Sequence, residues 1–138
     1  MLCLRPLERE QIYEHARGTY PHECCGFMIG RKGATREVAR IHALRNLRTD
    51  RAHDRYEIDP LDWIRVDRAL ANGEEVIGIY HSHPDHPSRP SEFDREHAHP
   101  FMSYLIVAVH DGEIESARSW ELDDQTRAFN EERIVEDA

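Results

Sequence analysis

A strand that ends in a pair of histidines is the feature that most constrains this chain. The apolar run 76–80 has the length and composition of a buried β-strand, and His81-Ser82-His83-Pro84 follows it directly. Because side chains alternate across a strand, His81 and His83 point to the same face. Two imidazoles on one face can reach a single ion, so this strand end is predicted to carry a metal site.

A helix start downstream supplies a candidate third ligand. The segment Ser91-Glu92-Phe93-Asp94 follows Pro90 and has the Ser-x-x-acid pattern of a capping box. Capping alone accounts for Ser91 and Asp94, but a carboxylate anchored in the first turn of a helix can also bind a metal. Beside the two histidines, Asp94 is predicted to do both. Three protein ligands and one open position are typical of a catalytic zinc rather than a structural one.

A zinc hydrolase also needs a carboxylate that takes a proton from water and passes it to the leaving amine. The chain has no HExxH segment, so this base must lie elsewhere. Glu23 is the best candidate, because a charged residue at the start of an apolar strand is out of place unless it faces a cavity. The Ser91 hydroxyl is predicted to stabilise the oxyanion. The alternatives to Glu23 are Glu57, Glu92 and Glu96.

Length and composition limit the classes of protein that this chain can belong to. The 138 residues fit a single domain over 1–138, and no apolar stretch approaches the roughly 18 residues of a membrane span. A net charge of −9 without a Lys/Arg cluster argues against a nucleic-acid surface. The first residues do not read as a signal peptide, so we expect a cytoplasmic protein. Three cysteines without a CxxC spacing exclude a cysteine-rich zinc knuckle.

The order of the predicted elements indicates an α/β domain with a mixed sheet flanked by helices. Helices are predicted at 6–17, 60–71 and 92–99, and strands at 23–30, 35–43, 55–58, 76–81, 103–109 and 114–122. The last stretch, 125–136, is ambiguous between a strand and an acidic helix.

Glu23, His81-Ser82-His83-Pro84 and Ser91-x-x-Asp94 together resemble the JAMM motif of the MPN+ (Mov34/MPN/PAD-1) metallopeptidases. The similarity is to the compact prokaryotic members and extends over most of the chain. It implies a single three-layer α/β domain like that of cytidine deaminases. It also implies that His81, His83 and Asp94 bind Zn2+, that Glu23 is the general acid/base, and that Ser91 stabilises the oxyanion.

The same resemblance implies a class of substrate. Family members cut after the C-terminal diglycine tail of ubiquitin-like proteins, and compact bacterial members act on ubiquitin-fold sulfur carriers. A ubiquitin-fold protein is therefore the expected partner, with a peptide or an isopeptide bond as the site of cleavage. The alternative is a non-catalytic MPN-type scaffold, but such domains typically lack the metal ligands that are present in this chain.

Overall fold

The structure, a computed structural model, describes residues 1–137 and is organised around one eight-stranded mixed sheet. The strands are β1 (Leu2–Cys3), β2 (Cys25–Arg31), β3 (Arg36–Leu44), β4 (Glu75–Pro84), β5 (Ser103–His110), β6 (Glu113–Leu122), β7 (Phe129–Glu132) and β8 (Ile134–Val135). The helices are α1 (Pro6–Thr19), α2 (Pro60–Ala69) and α3 (Glu92–His97). The strand order is β7-β6-β5-β4-β2-β3-β1-β8.

The two longer helices lie on opposite faces of the sheet. Ile12 of α1 belongs to one apolar core, whereas Val66 of α2 belongs to a second core. Along β5, Leu105 packs into the first core and Tyr104 into the second, as the alternation of side chains in a strand requires. The predicted three-layer α/β architecture, a mixed sheet between helices, is therefore confirmed.

The centre of the sheet holds the strand that ends in the two histidines. β4 pairs in parallel with β5 and antiparallel with β2. The backbones of β4 and β5 come so close that a Cβ at Gly78 would lie 2.4 Å from the carbonyl oxygen of Ser103. A parallel pair needs a crossover, and α3 forms part of the connection from β4 to β5. This crossover brings the start of α3 back to the end of β4.

One predicted strand is wrong. Residues 55–58 have no regular secondary structure, although Tyr56 and Ile58 alternate with charged residues as in a strand. The reason is a side chain: Asn46 donates from Nδ2 to the Arg55 carbonyl at 3.0 Å and accepts at Oδ1 from the Glu57 amide at 3.0 Å. The side chain thus bonds two of the backbone groups that a neighbouring strand would pair with.

Other boundaries move by smaller amounts. The strand predicted to start at Glu23 begins at Cys25, and the ambiguous stretch 125–136 contains the two short strands β7 and β8. β4 continues to Pro84, so both histidines lie within the strand and keep its alternation. Within residues 1–137, no helix combines the length and the apolar character needed to cross a membrane.

Candidate metal centre

Three donor atoms meet near the carboxyl end of β4. The Nε2 atoms of His81 and His83 lie 3.2 Å apart, and they are 3.3 Å and 3.0 Å from Oδ2 of Asp94. All three side chains are buried, and their ligand atoms lie within 4.8 Å of one another. The structure therefore brings together the three residues that the sequence singled out, and the group forms a buried metal-binding site.

The hydrogen bond at Nδ1 of His83 indicates which ligand the group of His81, His83 and Asp94 can bind. Nδ1 of His83 lies 2.8 Å from the carbonyl oxygen of Pro87, so Nδ1 carries the proton and donates. In the tautomer with its proton on Nδ1, Nε2 of His83 has a lone pair that faces the carboxylate oxygen of Asp94. Two acceptors that face each other at 3.0 Å repel unless a cation lies between them. The donor set therefore fits a divalent metal, and the Pro87 contact is the usual support for a ligating histidine.

The capping box predicted at the start of α3 is confirmed, and it fixes the same carboxylate. Oγ of Ser91 accepts from the Asp94 amide at 3.0 Å, and Oδ2 of Asp94 accepts from the Ser91 amide at 2.9 Å. This Oδ2 is the atom that faces both histidines. Capping and metal binding are thus compatible functions of one side chain.

The charge states of the three side chains suit a metal as well. Burial lowers the pKa of His81, which favours the neutral imidazole. Burial alone would raise the pKa of Asp94, but histidines whose Nε2 atoms carry protons outweigh it and hold that pKa well below its usual range, and a metal cation in place of those protons would act in the same direction. A neutral imidazole and an ionised carboxylate are the forms that bind a metal ion.

Glu23 lies in a cavity next to this group. Its side chain is 2% exposed, and its Oε1 has no hydrogen-bond partner among residues 1–137. Burial, reinforced by the negative charges of Asp94 and Asp54, raises the pKa of Glu23 to about 9. The cavity, about 450 Å³ in volume, is also lined by His83 and Ser91. An unpaired carboxyl group of high proton affinity beside a metal site is a candidate general acid/base.

The other acidic candidates are placed less favourably. Glu92 is exposed and forms an ion pair with Arg95, and Glu96 is also exposed. Glu57 lines a separate cavity of about 190 Å³ that adjoins Asp94 on another side. None of the three lines the cavity that contains Glu23.

The loop 45–58 contributes contacts that sequence reasoning missed. The Tyr56 ring stacks on the imidazole of His81, with ring centroids 4.4 Å apart and planes inclined by 29°. Nδ1 of His81 is buried without a partner among residues 1–137, so on that side of the ring the stacking takes the place of a hydrogen bond. The sequence marked Tyr56 only as part of a predicted strand, and no local pattern indicated its contact with His81.

The same loop fixes the backbone at Glu23. The Glu23 amide donates to the Ala52 carbonyl at 2.6 Å, and the Glu23 carbonyl accepts from Nδ2 of Asn46 at 3.2 Å. Asparagine is common in polar loops, so the sequence did not indicate that Asn46 bonds the backbone at Glu23. Glu23 precedes β2 and has no strand partner. These two bonds fix its backbone instead.

Comparisons with known proteins agree with this geometry. The sequence model for prokaryotic homologs of the JAB domain matches residues 8–123. A desampylase of Haloferax volcanii is 35% identical over 125 residues, which covers 86% of this chain and 87% of the relative. A CysO-cysteine peptidase of Mycobacterium tuberculosis is 30% identical over 124 residues, which covers 88% and 83%.

A solved structure supports the fold over nearly the whole chain. The solution structure of a protein from Desulfitobacterium hafniense superposes with a TM-score of 0.80 at 31% identity, and the match covers 98% of this chain and 92% of that one. With the family match over most of the sequence and the buried site at the end of β4, the chain belongs to the family of prokaryotic homologs of the JAB domain.

Proposed function

We propose that this protein is a zinc metallopeptidase that hydrolyses the bond after the C-terminal Gly-Gly of a ubiquitin-like or sulfur-carrier protein. The observation that carries the proposal is the buried convergence of His81, His83 and Asp94 beside the unpaired carboxyl group of Glu23. The relatives named as a desampylase and a CysO-cysteine peptidase support a peptidase that acts on small proteins of this class.

Nε2 of His81, Nε2 of His83 and Oδ2 of Asp94 would hold the metal. Two imidazoles and one carboxylate are a ligand set that zinc accepts, with one position left for water or substrate. The bound ion supplies Lewis acidity and lowers the pKa of water to about 7. Tyr56, Pro87 and the Ser91 amide keep the three ligands in place.

Glu23 moves the proton. Its Oε1 has no competing hydrogen bond among residues 1–137, so it is free to accept a proton from the attacking water. A bound metal cation would favour the ionised carboxylate that accepts this proton, and the burial that raises the pKa of Glu23 favours the protonated form that then gives the proton to the leaving amine. The backbone bonds to Asn46 and Ala52 hold the carboxyl group at the edge of the cavity during both steps.

Ser91 supplies a hydrogen bond to the carbonyl oxygen of the bond that is cut. Its Oγ already accepts from the Asp94 amide, which leaves its own O–H free to donate. Ser91 lines the same cavity as Glu23 and His83, so the hydroxyl can reach a substrate carbonyl there. A donor that faces the developing negative charge stabilises the transition state more than the ground state.

The direct test is product analysis with the ubiquitin-fold proteins encoded near this chain, each carrying residues after Gly-Gly. We expect mass spectrometry to show one cut, directly after Gly-Gly. Chelation of the metal should abolish the cut, and zinc should restore it. A protein that binds zinc but leaves every such substrate intact would be a scaffold of the MPN type, and the proposal would be wrong.

A further inference from the structure

The cavity beside Glu23 and His83 carries unbalanced positive charge. Its lining includes Arg51, Arg55 and Arg89. Arg51 forms an ion pair with Asp54, whose charge Arg55 also meets at longer range, whereas the half-buried Arg55 and the exposed Arg89 form no ion pair of their own among residues 1–137. The volume of about 450 Å³ lies within the range of about 300–1,000 Å³ that is typical of small-ligand pockets. In a chain of net charge −9, two unpaired guanidinium groups in one pocket call for an anionic ligand.

Arg55 is held in place by its neighbours. Its guanidinium lies 4.3 Å from the centre of the Phe93 ring, which is a cation–π contact. Its amide donates to the Arg51 carbonyl at 2.8 Å, and its carbonyl accepts from Nδ2 of Asn46. Phe93 is the residue before Asp94, so the same turn of α3 supports a metal ligand and this arginine.

Arg89 lies on the loop between β4 and α3, and two hydrogen bonds hold this loop beside the metal site. The Pro87 carbonyl accepts from Nδ1 of His83 at 2.8 Å, and the Ser88 carbonyl accepts from Nε1 of Trp120 at 3.0 Å. Pro90 follows, so the backbone is restricted on both sides of Arg89. A side chain whose backbone is already ordered loses less entropy when it binds a ligand.

We infer that Arg55 and Arg89 bind the α-carboxylate of the leaving group. This inference rests on the proposed function and narrows it: the substrate carries one further amino acid with a free C-terminus after Gly-Gly, rather than a lysine side chain of a second protein. Water adds to the glycine carbonyl and the C–N bond breaks. The products are the glycine carboxylate and a free amino acid, whose amino group takes the proton from Glu23.

The chemistry of arginine fits this ligand. A guanidinium binds a carboxylate through two parallel N–H bonds, which no ammonium group can do. Glu23 lines the cavity and gives its proton to the leaving amine. The leaving amino acid carries its α-carboxylate one carbon away from that amine, so the carboxylate falls within the same cavity. An acidic surface of the carrier protein would meet arginines outside the cavity as well, and would not require them beside Glu23.

The test uses one carrier extended by a single alanine after Gly-Gly, either as the free acid or as the C-terminal amide. We expect kcat/KM to favour the acid by about 10- to 100-fold, the range of a charge-assisted hydrogen-bond pair. Arg55→Ala and Arg89→Ala should each reduce this ratio towards one, and Arg89→Lys should restore part of it. Arg118→Ala, an exposed arginine of β6 outside the cavity, is the matched control and should keep the wild-type ratio.

Three results would overturn the inference. Equal rates for the acid and the amide would show that the carboxylate is not recognised. Variants that lower both rates by the same factor would place the two arginines at the carrier surface. Faster hydrolysis of a Gly-Gly isopeptide on a lysine side chain than of the alanine acid would assign the cavity to a different leaving group.

A binding measurement separates this inference from the proposed function. Titration of L-alanine and L-alaninamide into the zinc-loaded protein, followed by the side-chain Nε–Hε NMR signals of Arg55 and Arg89, does not depend on turnover. Shifts with alanine alone would support the carboxylate site even if no carrier were cut. Cleavage after Gly-Gly without such shifts would support the proposed peptidase function but refute the carboxylate site at Arg55 and Arg89.

Discussion

The metal site is built from two halves of different construction. One half consists of β4 and α3, which carry His81, His83 and Asp94 on regular secondary structure. The other half is the loop 45–58, which has no regular structure and yet contributes Tyr56 and Arg55 to the site. The first half supplies the three side chains of the metal-binding group, and the second half supplies contacts to those side chains and to Glu23.

A single side chain organises the loop half. Asn46 donates from Nδ2 to the carbonyls of Glu23 and Arg55, and its Oδ1 accepts from the amides of Arg48 and Glu57. Regular elements distribute this task over many backbone pairs, whereas in the loop one side chain makes four of the bonds to the backbone. We therefore expect loss of a ligand in the strand–helix half to remove the metal, and changes in the loop half to alter turnover while the metal stays bound.

The largest effect within this scheme is expected for Glu23→Gln. The variant keeps every metal ligand, so the zinc content should equal that of the wild type. Turnover should fall by roughly 10²–10⁴-fold, because general acid–base catalysis is lost. Glu92→Gln is the matched control, since Glu92 is exposed and pairs with Arg95, and it should leave turnover unchanged. Wild-type rates in Glu23→Gln would reassign the base.

Ser91→Ala should separate two functions of one side chain in the strand–helix half. Loss of the oxyanion donor should lower kcat by about 10²–10³-fold, and loss of the helix cap should cost about 0.5–2 kcal/mol of unfolding free energy. Turnover measured well below the melting temperature reports the first effect, and the urea midpoint reports the second. A variant that unfolds earlier but turns over normally would leave Ser91 as a cap only.

Asn46→Ala should test the loop half directly. The change leaves the Glu23 and Arg55 carbonyls without their Nδ2 donor, at a cost of about 1–3 kcal/mol for a partly buried group. Turnover should fall because Glu23 is no longer fixed, but the zinc content should stay at the wild-type level. If zinc were lost together with turnover, the two halves would not be independent.

The stability of the metal-free protein should depend on pH through Glu23. The pKa of about 9 in the folded state exceeds the ordinary value of 4.5, so the stabilising contribution is complete below pH 4.5 and is lost as the pH rises towards 9. The slope is at most about 1.4 kcal/mol per pH unit. Urea midpoints at several pH values after chelation should fall with pH in the wild type and less so in Glu23→Gln. An identical slope in both would remove Glu23 as the cause.

The strand–helix half could be predicted from the sequence because its signals are local. The apolar run before His81 marks the strand, and Ser91 and Asp94 lie three positions apart in a capping box. A crossover between parallel strands then brings the two segments together. The bounds of both segments shifted: the strand predicted at 76–81 runs from Glu75 to Pro84, since its pairing with β5 continues past His83, and the helix predicted at 92–99 ends at His97.

The loop half could not be predicted, since its contacts are distant in sequence and carry no pattern. Asn46 contacts residues up to 23 positions away, and Tyr56 reaches His81 across the fold. The alternation at Tyr56 and Ile58 even predicted a strand that does not form. Glu23 was identified from its misfit in an apolar segment and from the resemblance, whereas the contacts that hold it became visible only in the structure.

Zinc content tests the central claim most directly. We expect the protein purified without added metal to contain one zinc ion per chain by elemental mass spectrometry, and His83→Ala to contain almost none. Glu23→Gln and Asn46→Ala, which change the groups around the ligands, should each keep the full amount. A wild-type protein without zinc, or a His83→Ala protein that retains it, would contradict the assignment of the metal to the end of β4.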